Sequence, residues 1–160
     1  MSRTPNPHTG REWWAQPDGP EGGAGLRFGC TLCGNCCSGP PGYVLVDEGE
    51  CAALAERLGL SVPAFKKKYT HMEDEGLSLN EVDSTFGRDC VFLDRTTMPG
   101  KAVCGVYEHR PAQCRTWPFW PSILRSPSSY AQAKRVCPGM DKGKLVPVEQ
   151  VRVQRDKFKI

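Results

Sequence analysis

Apolar positions along this chain fall into short runs divided by glycine, proline and charged residues, so short elements are predicted throughout. The clearest run is Cys51, Leu54, Ala55 and Leu58, spaced i, i+3, i+4 and i+7 as one stripe of a helix. Asp47 suits its N-cap, Glu50 can reach back to close a capping box, and Gly59 ends it. A second short helix is predicted after Ser61 as cap, with Pro63 in the first turn and Phe65 and Tyr69 on one side. Lys66, Lys67 and Lys68 then form its solvated face. Tyr43–Val46 and Leu77–Leu79 read as strands, within an otherwise ambiguous polar stretch from Thr70 to Ser84. Asp89–Leu93 and Ala102–Cys104 read as a hairpin turning at Pro99-Gly100, with a thiol on each arm. Pro111 suits the first turn of a helix that contains Cys114 and stops before Pro118. Residues 131–136 fit strand or helix, and Val148 and Val151 suggest a terminal helix from Pro147.

Composition sharpens this into a fold class. With 17 glycines and 14 prolines in 160 residues, the expectation is α+β: a small, loop-rich single domain of short strands and a few helices, of a kind that benefits from staples. Residues 1–25, rich in proline and glycine, read as a flexible arm docked by Trp13 and Trp14. Residues 26–140 hold the cysteine-rich domain, and 141–160 a terminal helix with a basic tail.

Hydrophobic patterning accounts for Cys51, a small hydrophobe on a helix's buried face, but for none of the other eight cysteines. Cys30, Cys33, Cys36 and Cys37 put four thiols in eight residues, a density suited to soft-ligand coordination. The C-x-x-C spacing lets sulfurs meet across a tight turn, and Gly34 lets that turn take positive φ with backbone N–H groups facing sulfur. In an extended segment Cys36 and Cys37 would point to opposite faces, which would hinder their sharing one tetrahedral ion. No apolar run resembles a signal peptide or a membrane span, so a cytoplasmic protein with reduced thiols is expected rather than a disulfide framework. The formal charge of +3 is too small to argue for nucleic acid, and neither a membrane nor a particular protein partner is indicated.

In order, Phe28-Gly-Cys30-x2-Cys33-Gly-x-Cys36-Cys37, Cys90-x-Phe-Leu, Cys104-x2-Tyr107-Glu-x-Arg110-Pro111-x2-Cys114-Arg115, Pro118-Phe119 and Cys137-x-Gly139 resemble the YkgJ-type cysteine cluster family. This is also called the CxxCxxCC family, a zinc- or iron-chelating domain. The resemblance spans roughly residues 26–140 and implies metal held by Cys30, Cys33, Cys36, Cys37, Cys90, Cys104, Cys114 and Cys137. A similar region occurs in lysine N-methylases acting on flagellin, so a methyl-transfer role is one alternative and enzymatic activity stays open.

Eight thiolates divide into two sets of four. Two closed zinc sites would be redox-inert and structural. An iron-sulfur cluster, of the 4Fe-4S kind, is favoured by the C-x2-C-x2-C opening and by Cys137 before Pro138, although Cys37 departs from that pattern. The leading function is therefore a metal-binding protein with a redox or metal-handling role. The alternative to it is a structural zinc module that presents a surface to a protein or nucleic acid. Arg110 and Arg115 are candidates for balancing thiolate charge, while His109 reads as an exposed turn residue. Trp117, Phe119 and Trp120 read as core packing that could also shield a centre.

Overall fold

The capping signals at Asp47 and Ser61 start two helices where the apolar stripes predict them, in a computed structural model that describes residues 12–158. In chain order the helices are α1 (Glu48–Leu58), α2 (Val62–Tyr69), α3 (Ala112–Arg115), α4 (Pro121–Leu124), α5 (Pro127–Val136) and α6 (Val148–Lys157). The strands are β1 (Gly25–Phe28), β2 (Thr70–Glu73), β3 (Gly76–Leu79), β4 (Glu81–Ser84), β5 (Gly87–Cys90), β6 (Leu93–Asp94), β7 (Val103–Cys104) and β8 (Lys144–Pro147). Short 3-10 turns lie at Trp13–Ala15, Asn35–Cys37 and Tyr107–His109. Sheets among the described residues are antiparallel pairs: β1 with β8, β2 with β3, β4 with β5, and β6 with β7. The result is the small, mixed α+β fold that the short runs imply. None of its helices, among the described residues, is long and apolar enough to cross a membrane.

Two compact units divide the chain: a central one, Leu32–Arg115, and a terminal one formed by the chain up to Thr31 and from Thr116 onward. In the central unit, Asp47 accepts the Glu50 N–H while the Glu50 carboxylate accepts the Asp47 N–H, which closes the capping box. The other Glu50 oxygen accepts the Ala112 N–H at 2.6 Å and so caps the start of α3. Cys51, Leu54 and Phe65 are fully buried in a core with Val46, Leu79 and Val106, as the helix stripe predicts for Cys51. Lys66, on the face read as solvated, pairs with Glu48.

Two strand expectations change in this unit. Tyr43–Val46 is extended but meets β3 in an isolated bridge, Leu45 with Ser78, made by the Val46 N–H to the Leu77 carbonyl and the Leu79 N–H to the Val44 carbonyl. Side chains satisfy part of its backbone: the Leu45 N–H donates to Gln113 Oε1 at 2.7 Å, and the Val44 N–H to Ser78 Oγ at 3.0 Å. The hairpin with a thiol on each arm needs a larger correction. Cys104 on β7 faces Leu93 on β6, but Cys90 ends β5 and faces Glu81 on β4. The chain turns between Cys90 and Leu93, because β5 forms its own tight hairpin with β4 across Thr85-Phe86.

The terminal unit buries Trp14, Leu26, Met140 and Val151 almost completely. Trp13 meets Tyr130 edge-to-face with ring centroids 5.3 Å apart, and its indole N–H donates to the Leu124 carbonyl at 2.8 Å. Both tryptophans expected to dock the N-terminal stretch are therefore in this core; residues 1–11 of that stretch, and 159–160 of the basic tail, lie outside the described residues. The ambiguous 131–136 segment is helical: Ser126 caps α5 by accepting the Ser129 N–H, and Pro127 occupies its first turn. Helix α6 follows Pro147 as expected, and Arg152 and Arg155 on it both pair with Glu12.

Candidate metal centre

Gly34 adopts φ 76°, the left-handed conformation its place in the cysteine run calls for. The turn it starts points the Asn35 N–H at Cys33 Sγ, 3.5 Å away, and returns the Cys37 N–H to the Gly34 carbonyl at 2.9 Å. A Cβ on Gly34 would lie 2.6 Å from the Ala102 Cβ, so Gly34 is also a contact point where β7's approach packs on the knuckle. Residues 35–37 are consequently a 3-10 turn and not extended chain, which overturns the opposite-faces expectation. Cys36 Sγ and Cys37 Sγ are 3.8 Å apart. A tetrahedral ion with metal–sulfur bonds of about 2.3 Å has sulfur–sulfur edges of about 3.8 Å, so this pair already spans one such edge.

Three elements of the central unit bring further thiols to the same place. Cys37, Cys90, Cys104 and Cys114 line a cavity of about 30 Å³ together with Leu79, Phe92, Val106 and Arg110. A second cavity of about 110 Å³ is lined by Cys36, Cys37 and Cys90, with Ser38, Asn80 and Glu81. Cys36 is exposed, while Cys37, Cys90, Cys104 and Cys114 are half-buried. Cys30 and Cys137 belong to the terminal unit. There the Gly29 N–H donates to the Gly139 carbonyl, and a Cβ on Gly139 would sit 2.1 Å from the Gly29 carbonyl oxygen. Gly139 therefore has to be glycine for the Cys30 and Cys137 segments to run side by side. All nine cysteines are unbridged.

Burial and mutual repulsion govern these thiols. Burial pushes Cys90 up to about 11 and raises Cys104 and Cys114, with neighbouring thiolates adding to the shift at Cys90 and Cys114. Cys37 is raised first by its hydrogen bond to Cys36, then by burial. The same hydrogen bond lowers Cys36 to about 7 against its own burial, helped by backbone N–H and the Arg110 cation. Several sulfurs here cannot ionise together without a cation between them, and a soft divalent ion is the cation such a donor set selects. The residues thus fit the metal their sequence implies. Among the described residues no three ligating side chains are already drawn in around one point.

Arg110 has the supporting place expected of it: it lines the thiol cavity, donates from Nε to the Tyr107 carbonyl at 2.9 Å, and lies 3.9 Å over the Tyr107 ring. Arg115 is exposed. His109 is half-buried in its 3-10 turn, with Nδ1 buried and without a hydrogen-bond partner, so it is less exposed than expected. Phe119 is buried in the terminal core beside Cys137, and Trp117 and Trp120 pack against that core edge-to-face, their ring centroids 4.9 Å apart.

Sequence reasoning missed a buried carboxylate. Asp89, only 5% exposed, accepts two hydrogen bonds from Arg95, at 2.8 and 3.0 Å, and one from the Ser38 hydroxyl. Arg95 holds its carboxyl well below the usual range. Because Ser38 follows Cys37 and Asp89 precedes Cys90, this triad ties two cysteine segments together. The only signal in the sequence is adjacency, a polar residue beside each of two cysteines.

The family model CxxCxxCC, described as "Putative zinc- or iron-chelating domain", matches residues 29–138. No solved structure matches the chain.

Proposed function

The chain belongs to the CxxCxxCC family and is a zinc- or iron-chelating domain, and on that premise we propose that Cys37, Cys90, Cys104 and Cys114 hold one zinc or iron ion in a closed four-thiolate site. The observation that carries this is their convergence from a turn, a strand end, a second strand and a helix onto one cavity of about 30 Å³. Four thiolates are the complete ligand set of one tetrahedral ion, so a single ion is the simplest occupant of this lining, and the spectrum below separates it from a cluster held by the same four cysteines. Arg110 offsets part of the net negative charge that four thiolates leave on a divalent ion. Cys30, Cys33 and Cys137 are proposed as further metal-contacting thiols outside the closed set, and Cys36 is not one of the resident ligands of that set.

Four sulfurs around one ion leave no open position for a substrate, so the role is structural or metal-handling and not metal-centred catalysis. Unbridged thiols suit a reducing compartment such as the cytoplasm. Elemental analysis of protein purified anaerobically, beside single serine variants, tests the proposal. At least one zinc or iron per chain is expected, with loss of that metal in Cys90→Ser, Cys104→Ser and Cys114→Ser. A broad absorption near about 400 nm that bleaches on reduction, with inorganic sulfide, would replace the single ion by a cluster.

A further inference from the structure

Five thiols crowd a site that needs four, and the fifth stands in a different place. Cys36 is exposed, does not line the inner cavity, and opens onto the larger outer one. The two cavities share Cys37, Cys90 and Leu79 as walls, so an ion held in the outer cavity lies next to the inner site, and Cys36 lines the outer cavity alone. Glu81 also lines the outer wall, its carboxylate accepting the Gly42 N–H and lying 3.8 Å from Arg88. The 3.8 Å between Cys36 Sγ and Cys37 Sγ lets one ion touch both sulfurs at once.

Resting on the chelation reading above, we propose that Cys36 is the transfer ligand of this site: it captures the ion in the outer cavity and passes it to Cys37, and takes it back on release. In loading, a bond from the ion to Cys36 sulfur forms as the ion loses a water or a carrier thiolate. A bond to Cys37 forms next. The bond to Cys36 then breaks as Cys90, Cys104 and Cys114 complete the inner set. Each thiol that binds gives up one proton to solvent, Cys36 regains its own on leaving, and no electrons move. Ligand exchange through a shared intermediate avoids the bare ion, whose desolvation would otherwise dominate the barrier.

The test compares wild type with Cys36→Ser, Cys36→Ala and Cys37→Ser, using zinc and a chromophoric chelator. Expected are full zinc content in both Cys36 variants, equilibrium affinity close to wild type, and loading and release both slowed about tenfold, a barrier change of about 1.4 kcal/mol. Cys37→Ser should lose zinc. On metal-free wild type, brief treatment with iodoacetamide should label Cys36 ahead of Cys37, Cys90, Cys104 and Cys114. Zinc loss in the Cys36 variants equal to that of Cys37→Ser would make Cys36 a resident ligand and overturn the proposal. Unchanged exchange rates would overturn it too. Absence of metal from wild type in excess zinc would instead overturn the chelation reading itself.

Discussion

Replacing Asp89 by asparagine removes one charge from a buried triad while keeping its shape. The carboxylate accepts two bonds from Arg95 and one from Ser38, and its side chain is 7% exposed against 26% for Arg95. Hydrogen bonds to a charged group contribute about 1.5–3 kcal/mol, and breaking a buried ion pair from one side costs about 3–5 kcal/mol. Asparagine retains an acceptor for one partner, and the partly exposed guanidinium recovers some hydration. Asp89→Asn is therefore expected to cost about 2–3 kcal/mol of stability, read from chemical denaturation of the metal-loaded protein. Its effect on metal discriminates further. Removing a negative charge beside a negatively charged site should, on electrostatics alone, tighten metal binding. Loosening the link between the Cys37 and Cys90 segments should weaken it by about 10–100-fold, the usual effect of losing a residue that orients ligands. Weaker binding in a chelator competition is the expected result. A double-mutant cycle with Arg95→Gln should show coupling above about 1 kcal/mol. Unchanged stability together with unchanged or tighter metal binding would refute the positioning role.

Three other perturbations have defined outcomes. Gly34→Ala must hold φ near 76° and press on the Ala102 methyl, so it should cost at least about 1–2 kcal/mol and weaken metal binding in the same competition assay. Cys51→Ser places a hydroxyl in a fully buried apolar position, which should lower stability by about 1–3 kcal/mol while elemental analysis finds the metal content unchanged. Glu12 has its carboxyl lowered by the Arg152 hydrogen bond, with burial opposing and Arg155 assisting. Its stabilisation is thus fully present above the ordinary carboxylate range and is lost as pH falls below that range, through the lowered folded value. Denaturation curves for Glu12→Gln should show a deficit of about 0.5–1 kcal/mol at pH 7 that narrows as pH falls below the ordinary carboxylate range.

Local signals carried the helices. The capping box at Asp47 and Glu50, the Ser61 cap and the stripe through Cys51 are complete within a dozen residues, and the structure has them as written. Non-local pairings were beyond such signals. Strand β1 finds its partner β8 more than a hundred residues on, and the Ser38–Asp89 bond joins positions 51 apart. Cys90 was assigned to the wrong hairpin because Pro99-Gly100 is the stronger turn signal, whereas β4 and β5 turn at Thr85-Phe86, which carries none. For Cys36 and Cys37 the local conformation decided the outcome: a 3-10 turn brings together sulfurs that extended chain would hold apart. Spacing and order single out eight candidate cysteines. Six of them fold into the central unit, and Cys30 and Cys137 fall in the terminal unit, where Gly29 and Gly139 beside them are in backbone contact.

X-ray absorption at the metal edge of the loaded protein tests four-thiolate chelation most directly. A site built from Cys37, Cys90, Cys104 and Cys114 predicts four sulfur neighbours at about 2.3 Å and no metal–metal scattering. A shell dominated by nitrogen or oxygen, or fewer than three sulfurs, would contradict it.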